Sequence, residues 1–195
     1  MAKLLTVIGA SGIQGGSVID AVSKANTDWK IRAITRNPNS EAARGLAAKG
    51  IEVLQADLED VEFLKNAFAG TQAIFAVTDF FAPFAVLDAN AEKAIEVEWR
   101  QCENIIEAAS DCTNLQHFVW STLPNVAKIS NGKYRVPHFV AKNCAEEAIK
   151  ANFNLWKKTS FLWVGWYGSN FQYPLFKPTL LVRYSVLYTS AIIEN

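Results

Sequence analysis

A β-prone run, Leu4-Leu5-Thr6-Val7-Ile8, leads straight into Gly9-Ala10-Ser11-Gly12-Ile13-Gln14-Gly15-Gly16, and Val18, Ile19 and Val22 follow at helical spacing. A strand that turns directly into a helix leaves little room for side chains at the bend. Gly9 permits the tight turn, Gly12 lets the backbone amides come close to a bound group, and Gly15 allows the helix to pack against the strand. The first amides of such a helix point at the turn and favour an anion there. A glycine triplet alone is weak, but here it lies between a strand and a helix at the head of a β-α-β unit, the context that gives it meaning. The expected ligand is a dinucleotide held by its pyrophosphate.

The rest of the chain repeats the alternation. Strand-like runs are expected at Leu4 to Ile8, Ile31 to Thr35, Ile51 to Gln55, Ala73 to Val77, Phe118 to Trp120 and Phe161 to Val164. The first and fourth read as continuous runs rather than alternating ones, as strands buried on both faces do. Helices fall between them. Ser40 caps one through Lys49 that Gly50 ends, and Asp60 caps another through Ala69 that Gly70 ends. A longer helix is expected from Ala89 to Ala109, with Ile95, Trp99, Cys102 and Ile106 on its apolar face, and Pro137 opens another that runs to Lys150. The fold class is therefore α/β, a doubly wound parallel sheet of the Rossmann type.

Composition narrows the function classes. Nineteen basic residues balance 19 acidic ones without a dense basic run, so direct nucleic-acid binding is not expected. No apolar stretch reaches the roughly 20 residues that span a bilayer, so no membrane association is expected. The three cysteines, Cys102, Cys112 and Cys144, lack CxxC spacing and a clustered His, so neither a disulfide framework nor a metal site is indicated. They read as reduced thiols packed on helices, which places the protein in the cytoplasm or, for a regulator, the nucleus. The zero net charge hides an asymmetry: residues 1–150 carry 15 basic and 18 acidic residues, and residues 151–195 carry 4 and 1. Eleven of the 23 aromatic residues also lie between Phe153 and Tyr188.

The second strand decides which dinucleotide is expected. An NAD site usually ends this strand with an acidic residue that binds the ribose hydroxyls. The chain reads Ile34-Thr35-Arg36-Asn37 instead, and the Arg36 guanidinium suits a 2′-phosphate. NADP(H) is favoured over NAD(H). Asp57, just after the third strand, either approaches the adenine edge or caps a helix.

The turn, together with Arg32-Ala33-Ile34-Thr35-Arg36-Asn37-Pro38, Leu54-Gln55-Ala56-Asp57-Leu58 and Val77-Thr78-Asp79-Phe80, resembles the NmrA-like family of atypical short-chain dehydrogenase/reductases. The likeness runs in order over about residues 3–178, and the Trp-rich stretch Phe161 to Pro178 is similar to fungal members. It implies residues 1–168 as an NAD(P)-binding Rossmann domain and residues 169–195 as a remnant of a C-terminal substrate region. It also implies contacts to NADP(H) from Gly9, Ser11, Gly12, Ile13, Gln14, Gly15, Arg36, Asn37, Asp57, Leu58, Val77, Thr78, Lys142 and Tyr167. The family includes dinucleotide-sensing transcriptional regulators as well as reductases of small molecules.

Reductases of the wider superfamily use Ser, Tyr and Lys, with Tyr one helical turn before Lys. Here Ser121 occupies the serine position and Lys142 the lysine position, but His138 stands where Tyr would be. Tyr134 lies too far from Lys142 to share its face. His138 is either an acid in place of Tyr or a structural residue, and Lys142 is expected to hold the nicotinamide ribose. Phe80, Phe81 and Phe84 either line an apolar pocket or lie buried beneath a loop. Three functions stay open: a redox sensor acting on a protein partner such as a transcription factor; an NADPH-dependent oxidoreductase of a small carbonyl, imine or quinone; and a shortened product whose exposed aromatic surface favours homo-oligomers. The last rests on Thr179 to Asn195, which departs from the family continuation.

Overall fold

Strands that read as apolar on both faces are buried on both faces: in the computed structural model Leu5, Thr6, Val7 and Ile8 of the first strand are all buried. The structure describes residues 3–25, 27–174, 176–177, 180–182 and 185–186. The chain divides into two units, Met1–Trp163 and Val164–Asn195. The first contains β1 (Lys3–Ile8), α1 (Ile13–Lys24), β2 (Trp29–Thr35), α2 (Glu41–Ala48), β3 (Glu52–Gln55), α3 (Val61–Phe68), β4 (Ala73–Ala76) and a short α4 (Phe81–Val86). It continues through α5 (Ala91–Asp111), β5 (His117–Thr122), α6 (Val126–Ile129), α7 (Pro137–Ala151), α8 (Phe153–Trp156) and β6 (Thr159–Trp163).

The six strands pair in parallel in the order β3-β2-β1-β4-β5-β6. Direction of winding reverses between β1 and β4. In open α/β sheets that reversal opens a crevice at the carboxyl ends of the strands, where ligands bind. One face of the sheet packs Leu5, Val7, Ile31, Ala33 and Phe75 with Ile19 of α1. The other carries the larger core, in which Ile8, Ile74, Phe118 and Trp120 meet Leu64 and Phe68 of α3, Ile105 of α5 and Ile149 of α7. Each such side chain contributes about 1.5–3 kcal/mol on burial.

The helix signals act as their chemistry requires. Ser40 Oγ accepts from the Ala43 amide at 3.2 Å and Asp60 Oδ1 from the Phe63 amide at 2.9 Å. Gly50 and Gly70 follow α2 and α3 with φ of +79° and +72°. Pro137 is the first residue of α7.

Several boundaries differ from the sequence reading, most plainly in α5, β5 and β6. Helix α5 begins at Ala91, because Asp88 and Ala89 are left-handed (φ 51° and 56°) and the Asn90 side chain takes the cap by accepting from the Lys93 amide. Strand β5 extends to His117 and Thr122, and β6 begins two residues early at Thr159 and ends at Trp163. On the edge strand β6 the hydrogen-bonded ladder to β5 sets the start, so polar Thr159 and Ser160 are admitted, opposite Phe118 and Val119. The buried stripe of α5 also turns relative to expectation: Ala94, Glu98, Cys102 and Ile105 are buried, while Ile95, Trp99 and Ile106 are partly buried beside it. Helix α5 packs against both α3 and α7, and these two contacts set which stripe is buried.

In the second unit a 3-10 turn, Gly168–Gln172, follows Tyr167, and the Trp166 ring meets Phe176 edge-on at 4.6 Å between centroids. Strands β7 (Leu180–Val182) and β8 (Ser185–Val186) pair antiparallel. The remainder of the 179–195 stretch, where departure from the family continuation is expected, lies outside the described residues.

Candidate functional site

The glycine turn has no room for a side chain at Gly9 or Gly15. Gly9 has φ +71°, and a Cβ there would stand 2.7 Å from Val77 Cγ1 at the end of β4. Gly12 donates its amide to the Gly9 carbonyl at 2.9 Å, closing the bend. A Cβ on Gly15 would lie 2.7 Å from the Gly9 carbonyl carbon and 2.9 Å from Ala10 Cα, so α1 rests directly on the turn. No side chain caps α1 and its first turn contains no acidic residue. Helices α2, α3 and α5 each have a capping side chain and an acidic residue in the first turn, Glu41, Glu62 and Glu92. The positive end of α1 is therefore left for an anion. Ser11, Gly12 and Ile13 form its exposed rim, and Gln14 reaches past the end of β4 to accept from Ser121 Oγ at 2.6 Å.

Because all six strands are parallel, the residues after β1, β2, β3 and β4 share one edge. Arg36 is exposed there and makes no ion pair among the described residues. Asn37 shapes the turn after β2, its Oδ1 accepting from the Asn39 amide at 3.0 Å. Asp57 is exposed and accepts from the Glu59 amide at 3.0 Å; the cap of α3 is Asp60, so the helix-capping alternative for Asp57 does not hold. Leu58 is partly buried against the core, and its carbonyl accepts from Asn104 Nδ2.

A second, buried group of polar side chains lies behind the ends of β4 and β5. Thr78, two residues past β4, donates from Oγ1 to Glu98 Oε1 of α5 at 2.7 Å, and the Lys142 ammonium of α7 bonds to the same oxygen. Glu98 is fully buried and Lys142 is 7% exposed. Glu98 Oε2 and Trp120 Nε1 are buried without a hydrogen-bond partner. Cys102, one turn further along α5, lies 3.8 Å from Thr78 Oγ1, and burial pushes its thiol far above the ordinary range. His138, one turn before Lys142, packs its ring against Phe81 at 5.2 Å and Phe139 at 4.6 Å. Burial, followed by the Lys142 charge, holds its imidazole below the ordinary value.

The sequence-derived candidates thus separate into sets. The glycine turn, Val77 and Ser121 meet at the switch point, while Thr78 and Lys142 meet on Glu98. Arg36, Asn37 and Asp57 line the same edge further along. Phe80 is buried and stacks on Phe84 at 5.3 Å, whereas Phe81 is exposed. Tyr167 belongs to the second unit. Glu98 was missed because its residue type reads as solvated; the spacing Ala94, Glu98, Cys102, Ile105 carried the signal. The cysteine reading needs amending: Cys102 and Cys112 are buried, but Cys112 follows α5 rather than lying in it, and Cys144 is exposed. The Cys112 thiol donates to the Phe68 and Thr71 carbonyls, which satisfies it in a buried loop position. No described helix is long and apolar enough to cross a membrane, and no three His, Cys, Asp or Glu among the described residues are grouped for a metal.

Comparison with known proteins decides the family. The pattern of the NmrA-like family matches residues 1–182. The chain belongs to the NmrA-like family. Among its relatives, the NmrA-like oxidoreductase hkm9 of Aspergillus hancockii is 34% identical over 169 residues, covering 87% of this chain and 48% of that protein. The chain spans about half the length of the curated relatives it matches. Among solved structures, the negative transcriptional regulator NmrA superposes with a TM-score of 0.65 at 20% identity, over 87% of this chain and 48% of that one. A Citrobacter triphenylmethane reductase gives 0.63 at 27% identity, over 86% and 50%. NmrA has been solved with NAD and with NADP, and the Citrobacter reductase with NADP(H). The Rossmann-type architecture of this NmrA-like chain is common to both.

Proposed function

We propose that this chain is an NADP(H)-binding domain of sensing or regulatory type, without efficient turnover. The observation that carries the reading is the glycine turn: a tight bend with no room for a Cβ at Gly9 or Gly15, feeding a helix with no capping side chain, at the switch point of the sheet. The turn and the first amides of α1 hold the pyrophosphate, and Arg36 takes the 2′-phosphate. When bound, the group supplies a nicotinamide ring that gives or accepts hydride.

The side chains at the superfamily's catalytic positions are engaged elsewhere. Ser121 spends its proton on Gln14, Lys142 is paired with Glu98, and His138 is packed among phenylalanines and biased to the neutral form. Among the described residues, none of these three side chains is left as a ready proton donor, which supports sensing, with a protein partner such as a transcription factor reading the bound state. A second reading, an NADPH-dependent oxidoreductase of a small carbonyl, imine or quinone, is favoured by the 34% identity to hkm9, which is described as an oxidoreductase. Calorimetric titration with NADPH, NADP⁺, NADH and NAD⁺ tests the binding reading: micromolar or tighter affinity for the phosphorylated pair is expected, and no binding of any of the four defeats it. Rapid NADPH oxidation across a carbonyl, imine and quinone panel would replace the sensor with the reductase.

A further inference from the structure

Glu98 and Lys142 form a buried ion pair, and such a pair is weak evidence of a stabilising role even though breaking it is costly. Taking two full charges out of water is costly, and apolar residues of the same volume generally stabilise a core as well or better. Here the cost is not fully offset even by hydrogen bonding, since Glu98 Oε2 has no partner. The pair is tied to the crevice by Thr78, which follows Val77, the residue packed on Gly9. Cys102 on α5 is kept as a thiol by burial, and His138 on α7 is biased to neutral imidazole. Behind the ends of β4 and β5 the pair thus places one cation and one anion in low-dielectric surroundings.

The oxidised and reduced nicotinamide rings differ by one positive charge, and the rest of the dinucleotide is common to both. Groups that feel that charge shift the affinity of one form relative to the other. We propose that the balance of the buried Glu98–Lys142 pair sets how strongly this protein prefers one redox form of the dinucleotide over the other. The inference rests on the dinucleotide-binding reading and names the residues behind its redox selectivity. Glu98 acts through Lys142 and the local field and is a positioning residue.

The experiment is calorimetric titration of the full chain and its Glu98→Gln, Lys142→Met and double variants with NADP⁺ and with NADPH. The readout is the ratio of the two dissociation constants. Glu98→Gln, measured at about pH 6 so that the unpaired ammonium keeps its proton, leaves a net cation. The ratio Kd(NADP⁺)/Kd(NADPH) is expected to rise on the order of tenfold against the natural chain at the same pH. Lys142→Met, measured at about pH 9 so that the unpaired carboxylate stays ionised, is expected to lower it by a similar factor. The double variant is expected to return to within about twofold of the natural chain. A purely structural role weakens both nucleotides together and leaves the ratio in place, so unmoved ratios, or shifts of the same sign in both single variants, overturn the inference. If only one single variant keeps a cooperative melt, the sign of its shift decides. Failure of the natural chain to bind either nucleotide defeats the dinucleotide reading itself; binding with unmoved ratios defeats the inference alone.

Discussion

Two polar regions lie at the same edge of one sheet and are built in opposite ways. The glycine turn is open: its rim residues Ser11, Gly12 and Ile13 are exposed, and no side chain covers the positive end of α1. The Thr78–Glu98–Lys142 group is closed, with every member buried and bonded to another. The open region has left its donors for something outside the chain, while the closed one has satisfied most of its own. Substitutions in the closed region are therefore expected to appear as lost stability and a changed preference between redox forms, and those in the open region as lost affinity for both forms.

The largest effect is expected from Lys142→Met, which leaves a fully buried carboxylate unpaired and costs about 3–5 kcal/mol in urea unfolding. A loss of less than about 1 kcal/mol, the value of a surface pair, would break the comparison. Gly15→Ala tests where the two behaviours meet, because the turn is open to ligand but packed tightly against α1. Overpacking there should cost about 1–3 kcal/mol of stability, with NADPH affinity falling about ten- to a hundredfold by calorimetry. Arg36→Ala should leave unfolding unchanged and weaken NADPH by about tenfold while sparing NADH, the signature of a lost charge-assisted contact to phosphate.

Asp60→Ala sharpens the contrast from the other side. It removes the cap of α3, should lower stability by about 1 kcal/mol, and should leave nucleotide affinity untouched. The smallest effect concerns His138. Its folded-state pKa is depressed by burial, so the unfolded chain binds the extra proton first as pH falls. Its contribution is therefore present above the ordinary histidine range of about 6.5 and is lost as pH drops through and below it. His138→Gln should flatten the fall of the unfolding midpoint between neutral and mildly acidic pH.

The open region was legible in the sequence because its function depends on the backbone. Gly9, Gly12 and Gly15 announce themselves by residue type and spacing, and Ser40, Asp60 and Pro137 punctuate the helices by local rules that need no tertiary context. The closed region was legible only in part. Lys142 was singled out by its place in a helix, but the partner that defines it, Glu98, sits 44 positions earlier and looks like a surface residue. Its burial follows from α5 being packed between two other helices, which a single helix's periodicity does not contain. The start of α5 was missed for a related reason: Asp88 and Ala89 adopt left-handed conformations that neither residue type advertises. On β6 the apolar run was a poor guide because an edge strand takes its limits from its neighbour.

The hydrogen bond from Ser121 to Gln14 links residues 107 positions apart, one in the first turn of α1 and the other in β5. It acts as a mechanical strap across the end of β4. An anion that tightens the first turn of α1 would pull on the strand that leads into α6, so the slowest-exchanging amides gained on nucleotide binding should include those of Ser121 and Thr122 as well as those of the turn.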